Sequence, residues 1–134
     1  PAELIDALGR QPAEVLRSQD YFVLFPKEED VRTLEPDMLL LKKVDLRGVT
    51  VTAKGKAVDF VSRFFAPKYG VNEDPVTGSA HCALVPYWAD KLGKKDLVAH
   101  QVSKRGGELF CKDQGDRVII SGRAVPYMEG VLSV

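Results

Sequence analysis

The chain of 134 residues has no excess of either charge: 19 lysines and arginines stand against 19 aspartates and glutamates. A nucleic-acid binder normally carries a basic surplus or stripe, and a membrane-surface protein a polybasic cluster, so neither class gains support. Cysteine is scarce. Cys82 and Cys111 are the only two, and without a CxxC spacing they build no disulfide scaffold; reduced thiols in a cytosolic protein are expected. His81 and His100 are the only histidines, and no set of His and Cys has ligand spacing, so no metal site is expected. Neither a GxGxxG nor a Walker motif is present, which removes support for nucleotide binding. No apolar run approaches the roughly 20 residues needed to cross a bilayer. The first residues lack the basic-then-apolar pattern of a signal peptide. The expectation is a soluble, cytoplasmic protein with no nucleic-acid or membrane partner.

What is present is an ordinary globular balance, 45% apolar and 28% charged, without repeats or a break in composition, and residues 1–134 read as a single domain. Pro1–Gln11 is weakly helical and Pro12–Ser18 suits a short helix. Asp20–Phe25 (DYFVLF) is of strand type. Lys27–Leu34 and Pro36–Lys43 suit two short helices, with Val49–Ala53 and Ala57–Phe65 as strands around a Lys54-Gly55 turn. Ala80, Ala83, Leu84, Tyr87 and Trp88 follow helical spacing. This helix is apolar nearly all round, should kink or loosen at Pro86, and should stop at Gly93. Leu97–Ser103, Glu108–Lys112 and Arg117–Ser121 then read as a meander, with Ala124–Val134 as a possible fourth strand. One long apolar helix among such strands implies an α+β domain, a curled antiparallel or mixed sheet around a central helix.

The chemistry concentrates in Glu73-Asp74-Pro75-Val76-Thr77-Gly78-Ser79-Ala80-His81. The first N–H groups of a helix have no intrahelical partner, and the helix dipole adds partial positive charge there. Gly78 lets a ligand approach the backbone, and Ser79 can cap the helix or offer its hydroxyl. Together they suit a carboxylate or phosphate cradle, with Asp74 at its rim to accept a hydrogen bond or assist a proton transfer. The plain alternative is that Asp, Thr and Ser are capping residues, and spacing alone favours it.

The string EDPVTGSAHCAL, preceded by RFFAP at Arg63–Pro67 and followed in order by PYWADKLGK, QVSKRGGEL and GDRVIISGRAV, resembles the C-terminal signature of the phenazine-biosynthesis PhzF-like isomerases. The resemblance runs from about Asp20 onward. It implies a fold similar to diaminopimelate epimerase, in which two like domains each wrap strands around a central helix and the active site lies between them. It implies proton transfer on a small carboxylate-bearing substrate, without cofactor or metal. Carried over, Asp74 and Ser79 are the candidate catalytic positions, and Thr77, Gly78, Ser79 and Ala80 bind the substrate carboxylate. The family's principal acid/base is a glutamate of the N-terminal domain, which neither Glu73 nor His81 matches. This chain is therefore expected to be inactive alone and to need an N-terminal-domain partner. It would otherwise be a fragment, or a standalone carboxylate-binding domain that self-associates across the cleft face.

The remaining candidates have plainer readings. His81 is expected to be packed and satisfied by a backbone group, Cys82 to lie in the core, and Trp88 and Tyr87 to be core rather than a stacking platform. Arg105-Gly106-Gly107 suits a hairpin turn.

Overall fold

A computed structural model describes all residues 1–134. The elements are α1 (Ala2–Leu8), β1 (Glu14–Arg17), β2 (Tyr21–Leu24), α2 (Glu28–Arg32), α3 (Met38–Leu41), β3 (Val49–Lys54), β4 (Phe60–Ala66), β5 (Val71–Asp74), α4 (Gly78–Leu92), β6 (Asp96–Gln101), β7 (Gly107–Asp113) and β8 (Val118–Ser121). This is an α+β domain. Its eight strands form one mixed sheet in the order β1-β2-β3-β4-β6-β7-β8, with β5 also on β4. The β2–β3 and β4–β6 pairs are parallel and the others antiparallel.

Strand alternation sorts the core into two layers. Val49, Val51, Ala53, Val61 and Phe65 join Leu4, Leu8, Val31 and Leu41 of the short helices α1–α3. Phe22, Phe60, Phe64, Leu97, Ala99, Leu109 and Cys111 pack with Ala80, Leu84, Val85 and Trp88 of α4. Thr52 faces α4 and accepts a hydrogen bond from Trp88 Nε1 at 3.0 Å, so the indole is buried with its donor satisfied.

Several expectations are corrected. Pro12–Ser18 contributes a strand, because Glu14–Arg17 pairs in full register with Tyr21–Leu24; tertiary pairing overrides a weak local helix preference. Residues 122–134 form no regular element, and Val125, Tyr127 and Met128 are exposed. The buried stripe of α4 is Ala80, His81, Leu84, Val85, Trp88 and Ala89. Ala83 and Cys82 are exposed, so the helix has one open face. That face explains how α4 runs unbroken through Pro86: the carbonyl of Cys82, which loses its donor to the proline ring, lies on the exposed side. Gly93 ends the helix in the left-handed region at φ 65°.

One topological feature creates the site. The far edge of β4 is divided: Phe60–Ser62 pairs with β6, whereas Phe64 and Ala66 pair with β5. The C-terminal ends of β5 and β6, Asp74 and Gln101, therefore meet where the sheet divides, and α4 begins a few residues beyond Asp74.

Candidate active site at the start of the central helix

Thr77 is the N-cap of α4 in extended conformation, but its side chain makes no capping bond. Thr77 therefore holds the cap position without a capping bond. The Thr77 hydroxyl instead donates to Asp74 Oδ2 at 2.6 Å. No side chain of the chain accepts from the N–H groups of Gly78, Ser79 or Ala80. Gly78 and Ser79 are exposed, and a Cβ added to Gly78 would meet nothing within 4 Å. The first turn of α4 is thus an open donor set carrying a share of the roughly half positive charge of a helix N-terminus.

The loop before the helix is held from below by Gln101, which is 1% exposed. Its Oε1 accepts from Thr77 N–H at 2.7 Å, and its Nε2 donates to the Asp74 carbonyl at 2.9 Å and to Thr77 Oγ1 at 3.0 Å. Ser103 Oγ donates to the Pro75 carbonyl at 2.8 Å and accepts from Gly106 N–H at 3.0 Å. Val76 seats on Gly107, where a Cβ would collide with Val76 Cγ2. The glycine following Gly106 is thus a packing requirement of the site loop as well as part of a turn.

Glu73, beside Asp74, is occupied elsewhere. Arg63 grips it through two bonds, Nε–Oε1 at 2.7 Å and Nη2–Oε2 at 3.0 Å, and also donates to the Val31 and Leu34 carbonyls at 3.0 and 2.7 Å. This cross-brace ties β4 and β5 to the end of α2. On the other side stands Arg47, bound by Asp20 through Nε at 2.9 Å and Nη2 at 2.5 Å, with Nη2 reaching Ser79 Oγ at 3.4 Å. The Asp20 bonds hold the guanidinium more firmly in its charged form. A cavity of about 300 Å³ opens beside this corner, lined by Asp20, Tyr21, Thr50, Ser79, Cys82 and Ala83 among others.

His81 is fully buried, and its Nδ1 lies 2.7 Å from the Thr77 carbonyl. A carbonyl only accepts, so Nδ1 carries the proton and Nε2 is the bare nitrogen. Nε2 has no hydrogen-bond partner. Burial lowers the His81 pKa below its ordinary 6.5, the bond to Thr77 opposing. His81 is thus a packed neutral histidine facing away from the open donors. Cys111 is buried and its thiol is pushed up to about 11 by desolvation. His100 pairs across the strands with Glu108 at 3.0 Å, one register position from Gln101 but on the opposite face of the sheet.

Asp74, Thr77, Gly78, Ser79 and Ala80 are therefore together, with Asp74 half-buried and Ala80's side chain turned into the core. Sequence reasoning missed Gln101 and Arg47. Gln101 left a signal: Leu97, Ala99 and Gln101 share the inward face of an alternating strand, which marks a glutamine where only a satisfied polar group is tolerated. Arg47 left none, since it arrives from a loop 32 residues before Ser79.

The family model for phenazine biosynthesis-like proteins matches residues 3–130. An uncharacterized isomerase of Pseudomonas aeruginosa is 52% identical over 98% of this chain and 51% of its own length. An uncharacterized isomerase of Halalkalibacterium halodurans is 50% identical over 98% of this chain and 51% of its own length. Among solved structures, a PhzF-family phenazine biosynthesis protein of Enterococcus faecalis superposes with a TM-score of 0.87 at 50% identity, covering 90% of this chain and 46% of that one. A putative PhzC/PhzF phenazine biosynthesis protein of Clostridium difficile gives 0.89 at 41% identity, covering 100% and 52%. The chain spans about half the length of the curated relatives it matches. A family match over nearly every residue, with the same fold in half-identical relatives, places this chain in the PhzF-like family of phenazine biosynthesis-like proteins.

Proposed function

We propose that this chain is the C-terminal domain of a PhzF-like isomerase and supplies the wall that grips a small carboxylate during cofactor-independent proton transfer. The observation that carries this reading is the exposed, uncapped start of α4, where Gly78, Ser79 and Ala80 present backbone N–H groups beside Asp74. A substrate carboxylate fits that donor set because charge-assisted bonds from backbone N–H groups are strong and the helix dipole has the right sign. Asp74 then orients the substrate or shares a proton with it. Thr77 contributes through Asp74, since its hydroxyl and its N–H are both already engaged.

Proton relocation needs a group that removes the proton and one that returns it. Asp74 is one such group at the helix start; Glu73 is bound by Arg63 and His81 faces away. On this reading the second group comes from an N-terminal-domain partner across the cleft face, and the chain alone gives no isomerase turnover. The alternative is a non-catalytic carboxylate-binding domain that self-associates. The exposed Val125, Tyr127, Met128, Val131 and Leu132 favour it, because exposed apolar surface drives association.

Gly78→Pro tests the grip. Position N1 tolerates proline, which deletes one donor that has no intrahelical partner, and the space around Gly78 is open. Benzoate, followed by the Ser79 and Ala80 amide shifts, is expected to bind the parent chain and to bind this variant at least about fivefold more weakly, by loss of one charge-assisted bond, with melting unchanged. Benzoate shifts located away from α4 refute the proposal. Light scattering distinguishes self-association from a monomer awaiting its partner.

A further inference from the structure

The amide of Gln101 has only one permitted orientation. Thr77 N–H can only donate and the Asp74 carbonyl can only accept, so Oε1 must face the first, at 2.7 Å, and Nε2 the second, at 2.9 Å. The other orientation would set donor against donor and acceptor against acceptor at a residue 1% exposed, where neither error could be relieved by water. With the amide fixed, its remaining Nε2 hydrogen points at Thr77 Oγ1, 3.0 Å away, and occupies a lone pair there. A hydroxyl has one proton. With its oxygen already accepting from Gln101, that proton is directed to the other neighbour, Asp74 Oδ2, at 2.6 Å.

We propose that Gln101 is the positioning residue for Asp74: through the Thr77 hydroxyl it fixes one carboxylate oxygen and leaves Oδ1 as the oxygen offered to a ligand at the start of α4. The Gln101–Thr77–Asp74 relay runs in one direction, from the buried end of β6 outward to the rim, and its two buried members, Gln101 and Thr77, have their side-chain donors and acceptors engaged, which makes it rigid. The role of this relay in substrate handling rests on the carboxylate-grip reading above, but its existence does not.

The test is nuclear magnetic resonance of the whole chain. In the parent, the Thr77 hydroxyl proton is expected as a slowly exchanging resonance with a through-hydrogen-bond coupling to the Asp74 carboxyl carbon, and Asp74 χ1 in a single rotamer. In Gln101→Met, of similar length but without an N–H donor or amide acceptor, the coupling disappears and hydroxyl exchange accelerates at least about tenfold; Gln101→Glu does not restore it at neutral pH, because a carboxylate cannot donate to the Thr77 hydroxyl oxygen. Persistence of the coupling in Gln101→Met overturns the proposal. Where that variant does not fold, Thr77→Val decides: it keeps the Gln101 bonds to the backbone and frees Asp74, so averaged χ1 couplings are expected, and an Asp74 still in one rotamer overturns the proposal. Benzoate shifts at Gly78 and Ser79 are followed in the same samples. Their absence in the parent refutes the grip and leaves the hydroxyl result to decide the relay.

Discussion

Replacing Gly107 by alanine should damage the site more than its position in a hairpin suggests. Gly107 does not have positive φ, so alanine adds no backbone strain, and the whole effect is steric. The new Cβ would collide with Val76 Cγ2, while Val76 Cβ and Cγ1 would stand at ordinary distances of 3.5 and 3.6 Å. Val76 is β-branched and stiff at χ1, and it sits between Asp74 and Thr77, so the collision pushes the site loop outward. Overpacking of this kind costs about 1–3 kcal/mol. At roughly 4 °C per kcal/mol for a domain of this size, melting should fall by about 4–12 °C. Val76→Ala alone should cost about 1 kcal/mol for the methyls it removes at a half-buried place. Because it deletes the colliding atom, the double variant should be about as stable as Val76→Ala alone, a coupling of about 1–3 kcal/mol that favours the pair. Urea denaturation of the four proteins measures the cycle, and Gly78 and Ser79 amide shifts report whether the loop returns. Additivity of the two costs to within about 0.5 kcal/mol would refute the reasoning.

Three further predictions follow from buried groups. His81 has a folded-state pKa below its unfolded value near 6.5, so the unfolded chain binds the extra proton first; stability should be fully present above about pH 6.5 and fall as pH drops below it, by at most about 1.4 kcal/mol per unit. His81→Gln should flatten that part of a urea-denaturation pH series, and an unchanged slope between pH 6.5 and 5 would count against it. With Cys82 exposed and Cys111 buried with its pKa raised to about 11, a disulfide reagent should modify one thiol per folded chain, identified as Cys82 by peptide mass, and both only after unfolding. Trp88→Phe keeps the ring but loses the Nε1 bond to Thr52, and should lower unfolding free energy by about 1–3 kcal/mol in chemical denaturation.

The sequence by itself carried the local information. Alternation and turn residues located β2, β3, β4 and the β6–β8 meander, and helical spacing with Gly93 located α4, because these signals act within a few residues. Charge balance, the absence of ligand spacings and the EDPVTGS string bounded the chemistry, since donor-rich backbone at a helix start is written in the chain itself. The structure decided whatever depends on partners distant in sequence. Glu14–Arg17 became a strand because β2 offered an edge. Cys82 and Ala83 lie outside because the rotation of α4 is set by the core beneath it. Thr77 does not cap its helix because Asp74 and Gln101, brought together where β5 and β6 share the edge of β4, offer its hydroxyl a better-defined place. Hydrogen-bond direction at that junction follows from which groups meet, and only the tertiary fold brings residues 74, 77 and 101 together.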